Sequence, residues 1–285
     1  MKQEAVSEYF IVDRKLRATD DMKIFDRIGG DALYEVVKVV DGIPLFFEAH
    51  MARLRQSGKK SAIEIQKKDA EISEEIAALV QKNRCDHINV KLVRTELDGK
   101  EIFLTYFIRS EYPGRNVYAR GIHTILFRGE RENPNIKTVS ASFRERVQAA
   151  REKTGAYEAL LTDRNGYISE GSRSNIFFVK GGAIHTPPAG TVLMGVTRHY
   201  VMAICRELGI TVNERTLHRD ELTDIEGAFI TGTTVDVLPI ASIDHRKIRS
   251  VSDLRIQKII KGYEKEIRFY TEMRKKSQAL HLGQR

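Results

Sequence analysis

The chain has 285 residues, 41% hydrophobic and 30% charged, a balance that fits a globular protein of one large or two moderate domains and excludes a disordered chain. Its two cysteines, Cys85 and Cys205, form no CxxC pair, which argues against a disulfide framework or a cysteine zinc site, and no histidine has metal-ligand spacing. The opening MKQEAVSEYF lacks the apolar core of a signal peptide and no apolar run approaches the ~20 residues of a membrane span, so the expectation is a soluble, cytoplasmic protein. The net charge is +8, with basic residues interleaved among acids. No RNP-like aromatic motif or zinc-finger spacing accompanies them, so they read as a solvated surface suited to a small anionic ligand, with no nucleic acid and no membrane as partner.

Tyr34 to Phe47 reads YEVVKVV-DG-IPLFF, β-branched and aromatic runs around an Asp-Gly, which predicts a hairpin. A helix is expected over 50–62 and another over 69–83, where Ile72, Ile76, Leu79 and Val80 share a face. INVKLVR and EIFLTYFI follow as strands around the turn 97–100. SEYPGRN, 110–116, reads as a linker, VYARGIHTILF as strand, RENPN as a turn, and 143–153 as a helix. From Tyr157 the chain is β-rich: YEALLTD, the turn RNG, SNIFFVK, the turn GG, then AIHTPP. A helix over 198–208 stops at Gly209; short strands around ITVNERTL, GAFIT and VLPIASID precede a final helix over 252–276. The expected architecture is α+β in two domains, 1–112 and 118–285, joined by a linker at 113–117.

Several polar stations punctuate these elements. Lys137, in PNIKTVSAS, stands between a turn and a helix beside Ile136 and Val139, where an amine sheds its charge readily and becomes a nucleophile. GVTR, 195–198, opens a helix whose first amides lack intrahelical partners, which suits an anion or an ordinary threonine cap. GTT, 232–234, ends the apolar strand AFIT and suits phosphate oxygens or a routine turn, and Arg53, in FFEAHMARL, suits a phosphate clamp or a solvated helix position. Glu170, in YISEGSRSN, sits at the mouth of a buried strand, where a carboxylate is costly without a cation.

In their order and spacing these pieces resemble the class IV (fold-type IV) aminotransferases, which use pyridoxal 5′-phosphate. The motifs that carry the resemblance are YEVVKVVDG, the EAHMARL arginine, the IKT lysine, GAYEALLTDRNGYISEGSRSNIF, TPP, GVTR and ITGTTVDVLPI, from about Phe25 to Lys247. YEVVKV is most similar to the D-amino-acid aminotransferase branch. The resemblance implies a smaller N-terminal α/β sandwich, a larger C-terminal β-barrel-like domain that binds the cofactor, and a homodimer with active sites at the interface. It assigns Lys137 as the lysine that carries the cofactor as an imine and shuttles the substrate proton. Arg53, Val196, Thr197 and Thr233 match the phosphate cup, Leu193 a residue against the cofactor ring, and Tyr34 and Thr234 residues of the substrate pocket. Glu170 matches the acid facing the pyridine nitrogen. At about 4 Å and an effective dielectric near 20 such an acid supplies roughly 4 kcal/mol, or about three pKa units, to keep that ring protonated. The implied reaction is a ping-pong transfer between a D-amino acid (D-alanine or D-glutamate type) and a 2-oxo acid such as 2-oxoglutarate or pyruvate.

The chain departs from the branch at one place. Its best-known enzymes grip the substrate carboxylate with an Arg-x-His pair after the INVKLVR-like strand, where this chain has RTELDGKEIFLTYF. Arg173, three residues from Glu170, and Arg27, upstream of Tyr34, are the expected replacements, Arg27 from its own or a neighbouring subunit; bracing of Glu170 or its loop is the other reading of Arg173. Branched-chain L-amino-acid aminotransferases share the cofactor motifs but place a tyrosine where this chain has Ser142. Aminodeoxychorismate lyases and (R)-selective amine transaminases share the scaffold too. His50 reads as a capping or packing residue.

Overall fold

The computed structural model describes residues 4–29, 32–129, 137 and 141–282. The expected turn at RENPN, and Ile136 and Val139 beside Lys137, lie outside the described residues. The chain forms two compact units: Met1–Glu111 with Ile136–Val139 and Glu266–Arg285, and Tyr112–Asn135 with Ser140–Lys265.

The first unit opens with β1 (Ala5–Val12), β2 (Lys15–Ala18) and the single turn α1 (Lys23–Asp26). None of these has a clear signal in the sequence: β2 is exposed throughout and β1 has no alternation to read. They are followed by β3 (Leu33–Val40), β4 (Ile43–Pro44), α2 (Phe47–Lys60), α3 (Asp69–Asn83), β5 (Ile88–Leu97) and β6 (Lys100–Ile108). Among the described residues the strands form one sheet in the order β2-β1-β6-β5-β3-β4, antiparallel throughout. Both Asp-Gly pairs turn as the sequence implies: Asp41 and Gly42, like Asp98 and Gly99, hold positive φ, as a tight two-residue hairpin requires. The expected second arm Ile43–Phe47 is cut short. Pro44 removes a donor, and Phe46 (φ 51°) swings the chain into α2, whose first amide, at Phe47, is bonded to the Tyr270 hydroxyl at 3.0 Å. Thus the helix starts three residues earlier than the periodicity suggests.

The two faces of this sheet differ. Val37, Val39, Val90, Leu92, Phe103 and Phe107 pack under Met51 and Leu54 of α2 and Ile72, Ile76 and Leu79 of α3. On the other face Val93, Leu104 and Tyr106 meet Phe10 and Phe25, the Phe25 ring standing edge-on to Tyr106 at 4.9 Å.

In the second unit the expected strand at 117–121 is helix instead. Gly114 caps α4 (Arg115–Arg120), and Gly121, at φ 71°, ends it before β7 (Ile122–Arg128). Any side chain at Gly121 would press on the backbone of Pro239 and Ala241, so this turn needs glycine twice over. Then come α5 (Ala141–Thr154), β8 (Glu158–Thr162), β9 (Tyr167–Gly171), β10 (Asn175–Lys180), β11 (Ala183–Thr186), α6 (Val196–Glu207), β12 (Val212–Glu214), β13 (Leu217–His218), β14 (Gly227–Gly232), β15 (Asp236–Ile243), β16 (Arg246–Lys247) and α7 (Leu254–Leu282), which from Glu266 on belongs to the first unit. The strands form a curled half-barrel sheet in the order β12-β11-β10-β14-β15-β7-β8-β9-β13, with β16 on β15. Ile176, Phe178, Ala228, Ile230, Leu238 and Ile240 make its core. β10 and β14, buried except at their last residues, read as near-continuous apolar runs for that reason.

Candidate active site

In the first unit, the Tyr34 amide donates to the Lys137 carbonyl at 3.1 Å, which ties that residue to the end of β3. The half-buried Lys137 amine lies 4.9 Å from the centre of the Tyr34 ring, in cation–π range. On the opposite face of β3, Glu35 is fully buried and receives the Arg53 guanidinium through two bonds, Nε to Oε1 at 2.7 Å and Nη2 to Oε2 at 2.6 Å. His50, one turn before Arg53 on α2, places Nδ1 3.0 Å from Glu35 Oε2. Burial alone would raise the Glu35 carboxyl; the charge and hydrogen bonds of Arg53, then those of His50, override it and hold it down at about 2. The converse holds for the imidazole: burial pushes His50 down, against the bond to Glu35, with Arg53 and Lys137 adding to the downward push. His50 is thus the neutral third member of a charged network, where the sequence suggested only capping or packing. Glu35 was not visible as a functional residue in the sequence at all. Its signal is a carboxylate on the inward face of an alternating strand, at a position that should be apolar.

The second unit gathers its stations by short contacts. Glu170, near the end of β9, is 3% exposed and accepts the Leu193 amide at 3.3 Å. Asn175, first residue of β10, donates to the Leu193 carbonyl at 2.8 Å, and its Oδ1 lies where a side chain at Gly195 would be, 2.0 Å from that Cβ position. Gly195 caps α6 without a side-chain hydrogen bond, and the amides of Val196 and Thr197 open the helix with Asn175 Oδ1 in the space a side chain at 195 would take. The Thr197 hydroxyl is 3.3 Å from the Tyr263 hydroxyl. Arg198 pins the same turn through the Pro187 carbonyl at 3.0 Å and Glu214 at 2.9 Å. Asn175 pairs across the sheet with Thr231, and Gly232 approaches the Arg173 carbonyl, so the half-buried Thr233 and Thr234 follow in the adjoining turn. The Thr231 hydroxyl is buried and has no hydrogen-bond partner among the described residues.

The two arginines expected at the substrate carboxylate each have a partner within the chain. Arg27 is exposed and donates to Asp98 at 2.8 Å. Arg173 is exposed, with Nη2 3.5 Å from the Tyr157 carbonyl; its own amide, like the hydroxyls of Ser172 and Ser174, bonds the buried Glu158. The loop after Glu170 is therefore braced by Glu158, a residue the sequence did not mark. Ser142 is exposed on the first turn of α5.

Residues 32–243 match the profile of the amino-transferase class IV family. The chain belongs to that family. Class IV aminotransferases work with pyridoxal 5′-phosphate, and the chain is accordingly an aminotransferase. It is 28% identical over 245 residues to a D-alanine aminotransferase of Bacillus licheniformis (78% of this chain, 82% of the relative). It is 30% identical over 268 residues to a putative branched-chain-amino-acid aminotransferase of Methanocaldococcus jannaschii (87% and 91%). Its fold matches that of a branched-chain aminotransferase from Thermoproteus uzoniensis, solved with norvaline, with a TM-score of 0.80 at 22% identity over 91% of this chain and 94% of the other. The residues present fit the family's cofactor. A helix start whose first amides have no side-chain cap and a buried hydroxyl lacking a described partner suit a phosphate, and a buried carboxylate suits a protonated ring nitrogen.

Proposed function

We propose that this class IV aminotransferase moves an amino group between a D-amino acid of the D-alanine or D-glutamate type and a 2-oxo acid such as 2-oxoglutarate or pyruvate. The observation that carries the reading is Lys137, its amine half-buried against the Tyr34 ring and its main chain fixed to β3. Arg53 and the amides of Val196 and Thr197, with Thr233, bind the phosphate of the cofactor. Leu193 packs on its ring, and Glu170 keeps a negative charge beside the ring nitrogen. When bound, pyridoxal 5′-phosphate supplies an aldehyde that condenses with amines and a ring that takes up electron density from the substrate. Lys137 would carry the cofactor and, as a free amine, would take the proton from the substrate α-carbon and return it on the other side of the transfer. Tyr34, Thr234, Arg173 and Arg27 orient the substrate, Arg173 and Arg27 through its carboxylate. The same residues serve both half-reactions, hence ping-pong kinetics. A homodimer with active sites at the subunit interface belongs to the same reading.

The D preference is supported by the Bacillus licheniformis relative and by Ser142 at the place where branched-chain enzymes carry a tyrosine. Transfer from branched-chain L-amino acids is the second reading, supported by the Methanocaldococcus jannaschii relative. Incubation of the holoenzyme with D- or L-alanine and 2-oxoglutarate separates the two: D-glutamate from D-alanine alone is expected. L-Glutamate formed from L-leucine at a higher rate overturns the D assignment. Borohydride must also fix the cofactor to Lys137, and Lys137→Ala must abolish both fixation and transfer.

A further inference from the structure

The helix that carries His50 and Arg53 is not capped by its own sequence. Phe46 stands at the N-cap of α2, where a serine, threonine, asparagine or aspartate would satisfy the first amides locally, and it offers no side-chain hydrogen bond. Phe46 instead holds φ 51°, a conformation costly for a bulky side chain, which persists only where the surroundings fix it. Tyr270 fixes it, from the part of α7 that belongs to the first unit. The Phe46 and Tyr270 ring centres lie 5.1 Å apart. The Tyr270 hydroxyl accepts the Phe47 amide at 3.0 Å and donates to Glu48 Oε2 at 2.7 Å. Burial, then the bond to Glu48, raise this phenol above its ordinary value of 10, so it stays a donor. Arg274, one turn on, reaches Glu48 Oε1 at 3.0 Å.

These contacts lead directly to the charged network of the first unit. The Phe46 carbonyl accepts the His50 amide at 3.1 Å, the first i to i−4 bond of α2. His50 in turn meets Glu35, and Glu35 holds Arg53. Met51 and Leu54 fix the distance of α2 from the sheet, yet burial is not directional and leaves sliding along the helix axis cheap. Hydrogen bonds to the first turn remove that freedom. A side chain that grips a ligand must be held to within about 0.5 Å, and a hydroxyl that joins two residues at the helix start supplies such a stop. The Arg274 pair alone would not, since its partner Glu48 is exposed and ion pairs in solvent contribute little. We propose that Tyr270 is a positioning residue for the cofactor phosphate: through Phe46, Phe47 and Glu48 it sets the axial position of α2, and with it the Arg53 guanidinium. This rests on the assignment of Arg53 to that phosphate.

The test titrates the full chain with pyridoxal 5′-phosphate and with pyridoxal, which lacks the phosphate, in wild type, in Tyr270→Phe, and in a variant that removes the ion pair whole, Arg53→Met with Glu35→Gln. Tyr270→Phe keeps the ring on Phe46 and loses only the hydroxyl. It weakens pyridoxal 5′-phosphate about five-fold and leaves pyridoxal within about two-fold of wild type. In the ion-pair variant no guanidinium is left to place, so adding Tyr270→Phe changes nothing further. Equal weakening of the two ligands overturns the proposal, because a general loosening of the first unit spares neither. So does an unchanged affinity for pyridoxal 5′-phosphate, or a loss that persists without Arg53. Should Tyr270→Phe not fold, as judged by its melting temperature, Glu48→Ala takes its place. That variant leaves the hydroxyl without its acceptor: a loss confined to the phosphate-bearing ligand is expected, and no loss overturns the proposal. The ion-pair variant keeps the two claims apart. If it binds pyridoxal 5′-phosphate as tightly as wild type, Arg53 does not hold the phosphate and both claims fall. If it binds more weakly while Tyr270→Phe does not, only the role of Tyr270 falls.

Discussion

In the first unit the candidate machinery is built from charged side chains, each held by another. Arg53 is gripped by Glu35 and flanked by His50 on one face of the sheet. In the second unit the described stations are mostly main chain and small groups: a glycine-capped helix start, hydroxyls at strand ends, and Glu170 on an amide. The difference is one of reach. A backbone amide at a helix start aims itself, because the helix fixes its direction, and glycine at 195 lets Asn175 pack against that start. A guanidinium on four rotatable bonds does not aim itself. It needs a second residue to freeze it, and that residue brings a charge of its own. Glu35 thereby offsets the full charge of Arg53, so Arg53 offers a ligand well-placed N–H donors more than net charge.

The largest effect should come from breaking the side-chain arrangement. Glu35→Gln leaves the Arg53 charge buried beside His50 without its carboxylate, which costs about 3–5 kcal/mol of stability. Cofactor affinity falls with it, since Arg53 is no longer held. Urea unfolding of the apoprotein and fluorescence titration with pyridoxal 5′-phosphate measure the two; an unchanged affinity would mean that Arg53 does not need freezing. Glu170→Gln sharpens the comparison from the other side. Glutamine keeps an oxygen for the Leu193 amide and removes only charge, so the protein stays as stable while kcat drops about 10²–10³-fold. A loss below ten-fold would leave the second unit with no essential charge among the stations named. Gly195→Ala tests the close approach of Asn175 to this cap. The added methyl group meets Asn175 Oδ1 and forces that side chain off the Leu193 carbonyl, beside the helix start. A roughly ten-fold loss of cofactor affinity with little change in kcat is expected, about 1.4 kcal/mol.

This contrast also explains what could be read without coordinates. The second unit's motifs are contiguous: YISEGSRSN, GVTR and GTT each carry residue types, a turn and an element end within nine residues, so they stand out as polar stations, while the roles of Glu170, Thr197 and Thr233 come from the resemblance. The hairpin at Asp98-Gly99 and the helices α2, α3 and α6 were legible for the same reason, through local periodicity and turn chemistry. Networks that depend on register were not. Glu35 reaches Arg53 and His50 only because β3 turns its odd positions toward α2. No one of these residues announces its partners by itself. The helix at 115–120 was missed because β-branched and aromatic residues are shared by strands and by short helices that pack on a core, and the flanking glycines decide between them.

The smallest effect, and the one that separates His50 from Glu35, is a pH dependence. His50 is held neutral: burial lowers its pKa, and the positive charges that face it, Arg53 from α2 and Lys137 from beside β3, oppose its protonation, while Glu35 favours it and loses the contest. A folded ring that resists a proton which the unfolded ring accepts gives stability present above the ordinary value of 6.5 and lost as the pH falls below it. Glu35 shifts in the same sense but in another window. Its carboxyl falls from 4.5 to about 2, so its contribution is complete above 4.5 and drains away only as the pH approaches 2. Between pH 7 and 5 the network's slope therefore belongs to His50 and is at most about 1.4 kcal/mol per pH unit. His50→Gln keeps a donor for Glu35 and cannot titrate. Its unfolding free energy should fall less than that of wild type between pH 7 and pH 5, while the two should decline in parallel below pH 4, where Glu35 takes over. Parallel curves from pH 7 to 5 would mean that the buried imidazole binds its proton as readily folded as unfolded. Glu35 would then face two cations, Arg53 and a charged His50, and the first unit's charges would no longer balance in the way that distinguishes them from the amides and hydroxyls of the second.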